Sequence, residues 1–208
     1  MQITCLDLEG ILVPEIWIAV AEKTKIASLR ATTRDVPDYN VLMRQRLRIL
    51  KEENLSLKDI QAVIGGLKPL EGALDFLNWL RERFQVVILS DTFDEFALPL
   101  MRQLGYPILL CHRLEVDKNG MIVDYHLRQK EAKRESVKAF KNLNYQVIAV
   151  GDSYNDTAML SEAHAGILFK PPRNVINDFP QFPVTENYVE LQDTLLKVQK
   201  NLVNEKTR

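Results

Sequence analysis

The sequence predicts an α/β fold in which helices flank a parallel sheet. Three short apolar runs carry this prediction, and each stops at a polar residue or glycine: Ile3–Leu6 before Asp7, Val86–Leu89 before Ser90, and Val147–Val150 before Gly151. Such runs, separated by helical patterns, are typical of strands buried on both faces. Ligands in these folds bind beyond the carboxyl ends of the strands. We therefore expect the acidic residues that follow the strands to face one crevice.

Composition limits the kind of protein this can be. The chain has 208 residues, 46% of them hydrophobic, so it can bury a sizeable core without dividing into independent domains. The 27 Lys and Arg nearly balance the 28 Asp and Glu, which argues against nucleic acid or an acidic membrane as the main partner. Cys5 and Cys111 lack metal-ligand spacing and fit free thiols. With no signal-peptide pattern and no long apolar window, we expect a cytoplasmic protein.

A long stretch with helical patterns, from Pro14 to Leu80, separates the first two strands. It is much longer than a single crossover helix requires. Its helical segments are Ile16–Lys23, Tyr39–Glu53, Leu57–Ile64 and Ala73–Arg83. We expect the last helix to return to the core and the others to form a cap. The predicted division is a catalytic core of residues 1–13 and 73–208, with a helical cap of residues 14–72.

The remaining elements follow the second strand. Asn119-Gly120 lies between the predicted strands Arg113–Val116 and Met121–Tyr125 and predicts a small β-hairpin. The later predicted elements are a helix (Lys130–Leu143), the strand before Gly151, a helix (Asn155–Ala163), a strand (Ala165–Phe169) and a closing helix (Val189–Val203). The Pro-rich tract Phe169–Pro183 is predicted to be a loop.

The acidic residues at the strand ends suggest phosphoryl transfer. Asp7 and Glu9 stand two apart, so in extended backbone both side chains point to one side, as a nucleophile and a proton carrier would. A carboxylate can attack phosphorus only if the phosphate charge is offset, for instance by Mg²⁺, and Asp152 is the natural second ligand. Any one such residue could be an ordinary turn former or helix cap. Several carboxylates in one crevice, however, cost stability unless a cation is bound there.

Two further segments offer phosphate contacts. Ser90-Asp91-Thr92 ends the second strand and begins a helix, where a hydroxyl and free N–H groups can bind phosphate oxygens or simply cap the helix. A phosphate site of this kind also needs a fixed cation. Spacing alone does not choose between Lys130 and Lys133 for that role.

Taken in order, four segments resemble the haloacid dehalogenase-like superfamily: Asp7–Gly10, Ser90–Thr92, Lys133 and Gly151–Asp156. The resemblance implies a Rossmann-like sheet and an aspartyl-phosphate intermediate. In that family Asp7 would be the nucleophile and Glu9 the general acid/base, while Asp7, Asp152 and the backbone carbonyl of Glu9 would bind Mg²⁺. It further implies substrate contacts from Ser90, Asp91, Lys133 and Asn155, and a supporting role for Asp156.

The cap position, the Gly72 turn and the Asn155-Asp156 ending are similar to phosphoserine phosphatases, above all the branch that also transfers phosphate to homoserine. This implies phosphoserine hydrolysis, homoserine as a second acceptor, and roles in serine and threonine biosynthesis. Glu15 would bind the substrate amine. Arg46 would bind its carboxylate, because a forked guanidinium matches a planar anion. Arg44 and Arg48 remain alternatives.

The chain departs from the usual pattern at two positions. Glu9 replaces the more common Asp and moves the carboxyl group by about one carbon–carbon bond. Ser153 stands where many phosphoserine phosphatases have Gly. We hypothesise that a displaced proton carrier activates water less well, which would favour transfer to homoserine.

Other classes fit less well. A response-regulator receiver places its phosphorylated Asp on an inner strand after an acidic pair, and a dinucleotide-binding domain needs Gly-x-Gly-x-x-Gly after the first strand. A phosphatase for another small phosphate ester is the remaining alternative. The expected partners are small molecules, phosphoserine and homoserine, with no nucleic acid and no membrane. The oligomeric state stays open, with a homodimer as one alternative.

Overall fold

The computed structural model describes residues 1–32, 35–36 and 38–205. Within that part of the chain the strands are β1 (Gln2–Leu6), β2 (Gln85–Phe93), β3 (Ile108–Val116), β4 (Ile122–His126), β5 (Gln146–Gly151), β6 (Ala165–Phe169) and β7 (Val184–Thr185). They form one sheet in the order β4-β3-β2-β1-β5-β6-β7. All neighbours are parallel except β3 and β4. The predicted α/β class is confirmed.

The α-helices of the described residues are α1 (Ile16–Thr24), α2 (Tyr39–Glu52), α3 (Leu57–Gly65), α4 (Ala73–Arg81), α5 (Asp94–Gln103), α6 (Ala132–Asn142), α7 (Thr157–Glu162), α8 (Arg173–Asp178) and α9 (Tyr188–Glu205). Local capping sets several of their starts. The Asp38 carboxylate accepts the N–H groups of Asn40 and Val41 at the start of α2, and Ser56 and Asp59 form a capping box at the start of α3. Helices α1 to α3 lie between β1 and α4, where the sequence predicts the inserted helices.

The central strands β1, β2 and β5 are buried on both faces. Leu6, Ile88 and Val150 belong to the apolar cluster that also contains buried residues of α1 to α5 and α9. On the opposite face, Cys5 and Leu89 pack in a second cluster with residues of α6, α7 and α8. Because both faces are covered, these strands appear as continuous apolar runs in the sequence.

The inserted helices contact the β3–β4 hairpin. The Leu57 N–H at the start of α3 donates to the Gly120 carbonyl in the hairpin turn (2.9 Å). The Tyr125 hydroxyl on β4 donates to Asn40 Oδ1 on α2 (2.6 Å). The hairpin therefore extends the main sheet and supports the helices that follow β1. Among the described residues, no helix combines the length and apolar character needed to cross a membrane.

Helix α5 lies in a region where the sequence predicted only a helix start, and it contains Pro99. Proline cannot donate to the carbonyl four residues earlier, which belongs to Glu95. Gln61 Nε2 on α3 donates to that carbonyl instead (2.7 Å). A tertiary contact thus satisfies the backbone group that the proline leaves without its helical partner.

The prediction of a loop over residues 169–183 is wrong in part. Residues 173–178 form α8, which buries Val175 against the sheet. The Leu168 N–H donates to the Pro183 carbonyl (2.9 Å), and β7 follows directly as an edge strand. Other predicted bounds also shift: α6 begins at Ala132, residues 154–156 form a 3-10 turn before α7, and β2 continues through Ser90 to Phe93.

Candidate active site

Asp7 follows β1 directly and lies at the carboxyl edge of the sheet. Its backbone N–H donates to the Val150 carbonyl of β5 (3.0 Å), which continues the strand pairing up to the site. One carboxylate oxygen, Oδ1, accepts the Leu8 N–H (2.7 Å) and lies 3.0 Å from Lys133 Nζ. The Asp7 side chain is thereby held in a defined orientation and is almost fully buried.

Three buried carboxylates meet at this edge. Asp7, Asp152 and Asp156 each offer an oxygen within 4.8 Å of the others. Two glycines make room for them: a Cβ on Gly10 (φ +76°) would lie 2.5 Å from Asp152 Oδ2, and one on Gly151 would lie 2.3 Å from the Asp156 Cβ. Any larger residue at either position would displace a carboxylate of this acidic cluster.

Burial and mutual repulsion shift the protonation of the cluster. Burial, followed by repulsion from Asp156, raises the pKa of Asp7 well above its usual range, although Lys133 opposes the shift. The same two causes raise the pKa of Asp152 to about 7. A bound cation would offset this repulsion, and carboxylate oxygens are the ligands that Mg²⁺ prefers.

Asp156 uses its oxygens inside the protein. Oδ1 accepts from Lys133 Nζ (2.8 Å), and Oδ2 accepts the N–H groups of Asp152 (2.9 Å) and Ser153 (3.3 Å). Asp156 is fully buried, whereas Asp7 and Asp152 line the cavity. This placement suits the supporting role predicted for Asp156.

Lys133, and not Lys130, is the cation within the cluster. Its Nζ lies 2.8 Å from Asp156, 3.0 Å from Asp7 and 3.4 Å from Asp91. Burial alone would lower the pKa of Lys133, but the three carboxylates raise it well above its usual range. Lys130 is exposed at the rim of the same cavity.

Glu9 lines the cavity two residues beyond Asp7. Its Oε1 accepts the N–H of Ile16, the first residue of α1 (2.7 Å). Burial and then repulsion from Glu15 raise the pKa of Glu9 to about 7, against the lowering effects of that hydrogen bond, Arg46 and Lys133. Glu9 can therefore both hold and release a proton near neutral pH.

Glu15, the residue before α1, and Arg46 on α2 also line the cavity. The Arg46 guanidinium lies over the Trp17 ring (4.4 Å) and donates from Nη2 to the Ala31 carbonyl (2.9 Å). Its buried Nε has no hydrogen-bond partner among the described residues. Burial lowers the pKa of Arg46 to about 10, so it remains charged at neutral pH.

The two alternative arginines lie elsewhere. Arg44 is exposed and pairs with Asp124 on β4 (2.8 Å). Arg48 is also exposed, and neither residue is part of the cavity wall. Of these three residues, the structure brings only Arg46 to the site.

The end of β2 supplies the next group. The buried Ser90 Oγ accepts the Thr92 N–H (3.2 Å), while Asp91 and Thr92 line the cavity. Asp91 Oδ2 accepts from Asn155 Nδ2 (3.0 Å). Although burial favours the neutral acid, Lys133 and hydrogen bonds from His112 and Asn155 keep the pKa of Asp91 below its usual range.

Two cavity residues were missed by sequence reasoning. Tyr39 on α2 donates from its hydroxyl to the Asp91 carbonyl (2.9 Å), and His112 on β3 places Nε2 at 3.6 Å from Asp91 Oδ1. His112 follows the short apolar run Ile108–Cys111. β3 continues to Val116, but a search for polar residues directly after short apolar runs could have found His112. Tyr39 has no comparable signal.

The cavity has a volume of about 810 Å³. Its wall includes Asp7, Asp152 and Lys133 at the sheet edge, and Glu15 and Arg46 from the inserted segment. The cavity thus presents carboxylates with one buried lysine, together with a further carboxylate and a guanidinium. An α/β hydrolase acting on a small, charged phosphorylated compound is the class of protein that this fold and cavity define.

Comparison with known proteins makes this class specific. A family model described as haloacid dehalogenase-like hydrolase matches residues 10–164. The chain belongs to the haloacid dehalogenase-like hydrolase family. The fold and the resemblance predicted from the sequence are thereby confirmed.

Two phosphoserine phosphatases are similar in sequence to this chain. Phosphoserine phosphatase ThrH of Pseudomonas aeruginosa is 69% identical over 197 residues, which cover 95% of this chain and 96% of the relative. Phosphoserine phosphatase of Pseudomonas syringae pv. tomato is 68% identical over 197 residues, covering 95% and 83%. A solved structure described as a phospho-aspartyl intermediate analogue of phosphoserine phosphatase superposes with a TM-score of 0.75 at 22% identity, covering 94% of this chain and 98% of the other. At that identity the likeness concerns the fold.

Proposed function

We propose that this protein hydrolyses phosphoserine to serine and phosphate through an aspartyl-phosphate on Asp7. The observation that carries the proposal is the cavity itself. In this cavity the Asp7 carboxylate lies 3.0 Å from Lys133 Nζ, and Glu15 and Arg46, a pair that complements an amino-acid head group, line the same cavity. The names of the two Pseudomonas relatives support the same substrate.

The acidic cluster fits a Mg²⁺ site. We assign Asp7, Asp152 and the backbone carbonyl of Glu9 as its ligands. Asp7 and Asp152 line the cavity, and the pKa of each is raised first by burial and then by repulsion from Asp156, which a divalent cation would relieve. When bound, Mg²⁺ offsets the charge of the phosphoryl group that faces Asp7.

In the first step Asp7 attacks phosphorus and serine leaves. Glu9, whose pKa is about 7, protonates the leaving serine oxygen. In the second step Glu9 removes a proton from the attacking alcohol or water, and the bond between phosphorus and Asp7 breaks. Ser90, the Asp91 N–H, Lys133 and Asn155 are proposed to hold the phosphoryl oxygens during both steps.

Residues 14–72 are proposed as the cap that selects the substrate, over a core of residues 1–13 and 73–208. Glu15 would bind the substrate ammonium group, and Arg46 its carboxylate. Arg46 suits this task because Trp17 and Ala31 already orient the guanidinium. Its Nε–H has no partner among the described residues and can donate to the substrate. The cost of ordering this side chain is therefore met before substrate binds.

Homoserine is the proposed second acceptor. It carries the same amino-acid head group as serine, so it can occupy the same position between Glu15 and Arg46 once serine has left. Glu9 is tied to the Ile16 N–H at the start of α1, which places the proton carrier beside the proposed cap. This arrangement favours an acceptor held by the cap over free water.

The deciding experiment incubates the protein with phosphoserine, Mg²⁺ and homoserine and measures free phosphate and phosphohomoserine. Formation of both supports both activities, and phosphate alone restricts the protein to hydrolysis. If neither forms while another phosphate ester is cleaved, the substrate assignment is wrong. Asp7→Asn should abolish turnover; retained activity would refute the covalent mechanism.

Location and assembly complete the proposal. The thiols of Cys5 and Cys111 are free, which suits a reducing cytoplasm. A homodimer is proposed as the assembly. Size-exclusion chromatography with light scattering tests it, and a monomeric mass would refute it.

A further inference from the structure

The Asp91 carboxylate contacts two of the donors that the proposed function assigns to the substrate phosphate. Its Oδ2 lies 3.4 Å from Lys133 Nζ and accepts from Asn155 Nδ2 at 3.0 Å. The side chain is one third exposed and lines the cavity. A phosphoryl group beside Asp7 would therefore meet these two donors already paired with an internal anion.

The other oxygen of Asp91 faces His112. His112 Nε2 lies 3.6 Å from Asp91 Oδ1. The opposite ring nitrogen, Nδ1, accepts the Arg128 N–H (3.1 Å), so a neutral ring carries its proton on Nε2 and directs it toward Asp91. His112 is almost fully buried, and its ring packs near Phe93 and Tyr39. The imidazole is thus fixed in position with Nε2 facing the Asp91 carboxylate, just beyond hydrogen-bond distance.

We propose that Asp91 competes with phosphate for Lys133 and Asn155, and that His112 is a positioning residue that draws the carboxylate away from both. The inference rests on the proposed function and deepens it, since it names what limits phosphate affinity at the same site. Its consequence is weak retention of free phosphate, which favours product release. His112 sets the extent of this competition without touching the phosphate.

The direction of each effect follows from charge. A carboxylate and a phosphate that share one ammonium group repel each other, so removing the Asp91 charge should tighten phosphate binding. For unit charges at such distances the change ranges from about fivefold with the screening of bulk water to about 10³-fold with that near a protein surface, so at the partly buried Asp91 we expect at least about tenfold. Removing the His112 donor should have the opposite sign, because the carboxylate then depends more on Lys133 and Asn155. We expect affinity to fall about threefold, a small change because the 3.6 Å contact is longer than a full hydrogen bond.

Calorimetric titration with inorganic phosphate in the presence of Mg²⁺ tests the inference. Asp91→Asn keeps the side-chain shape and removes the charge, so its dissociation constant for phosphate should be at least about tenfold lower than that of the wild type. His112→Asn retains an acceptor for the Arg128 N–H but is too short to reach Asp91, and it should bind phosphate more weakly. His112→Gln places an amide donor near the position of Nε2 and should restore the wild-type value.

A double variant separates positioning from packing. In an Asp91→Asn background, His112→Asn should leave phosphate affinity unchanged, because no carboxylate remains to be positioned. An equal loss in both backgrounds would show that His112 acts only through packing, and that result overturns its role. His112→Phe, which preserves the ring, replaces His112→Asn if the latter does not fold.

The Asp91 variant decides the competition. Unchanged or weaker phosphate binding by Asp91→Asn would overturn the inference, and that result would not bear on the proposal that the wild type hydrolyses phosphoserine. The opposite outcome is also distinguishable. If the wild type releases no phosphate from phosphoserine but Asp91→Asn binds phosphate more tightly than the wild type, the proposed substrate is refuted and the inference is supported.

Discussion

Substitution of the buried Lys133 should destabilise the protein more than substitution of an exposed lysine. Its Nζ lies within 3.4 Å of three carboxylates, and both Lys133 and Asp156 are buried. Lys133→Met preserves much of the side-chain length and removes the charge, which leaves the acidic cluster uncompensated. Removing one partner from a buried ion pair costs about 3–5 kcal/mol. For a chain of this size that corresponds to a fall in Tm of roughly 6–20 °C in metal-free protein.

Activity should fall with stability, since Lys133 is also proposed to bind the phosphoryl group. Loss of one fixed electrostatic contact to the reacting group is expected to reduce kcat about 10²- to 10³-fold. Thermal melts in EDTA and phosphate release from phosphoserine measure the two effects. Added Mg²⁺ should raise the Tm of Lys133→Met more than that of the wild type, because the cation replaces part of the lost charge.

Lys130→Met is the matched control, because Lys130 lines the same cavity three residues earlier but is exposed. We expect its Tm and kcat to remain near the wild-type values. Equal effects of the two substitutions would refute the reasoning, since they would show that the burial of Lys133 and its contacts with the carboxylates do not matter.

Three further substitutions test other parts of the site. Glu9→Asp should change the ratio of phosphohomoserine to free phosphate in the coupled incubation, and an unchanged ratio would contradict a role for the longer side chain. Arg46→Met should raise the KM for phosphoserine about 100-fold and leave cleavage of an ester without an amino-acid head unaffected, whereas Arg44→Met should change neither. In the folded protein the pKa of Asp152 is about 7, against about 3.9 in an unfolded chain. The contribution of Asp152 to the free energy of unfolding is therefore complete below about pH 4 and is lost as the pH rises through about 7. Asp152→Asn should therefore raise the Tm in EDTA at pH 8 and flatten the dependence of Tm on pH. An unchanged slope of Tm against pH between pH 4 and 8 would contradict a destabilising charge on Asp152.

Local patterns were sufficient for much of the fold. Strands β1, β2 and β5 were predicted because burial on both faces leaves a continuous apolar run, and α2 because its apolar residues recur along one face. Helix α5 was missed beyond its start, since Pro99 interrupts the helical signal and the hydrogen bond from Gln61 is invisible in the local sequence. The first half of β3 was missed although its apolar run, Ile108–Cys111, is as long as the runs that predicted β1, β2 and β5.

The arginines show why the site could be predicted only in part. Arg44 and Arg46 lie two positions apart on α2, about 200° around the helix, so they occupy opposite faces. The sequence limits the choice to residues on that helix, but which face meets the cavity depends on how α2 packs against β4 and the remaining inserted helices. The choice of Lys133 over Lys130 likewise depends on where α6 begins and on which side chain is buried beside Asp7.

The sequence by itself determined the α/β class, the order of the four segments and the candidacy of Asp7, because each depends on residue types and spacings along the chain. The tertiary structure alone decided that Asp91 meets His112. These residues are far apart in sequence and come together because β3 pairs in parallel with β2, with His112 opposite Phe93. Contacts across strands depend on register and burial, which arise only when the whole sheet has formed.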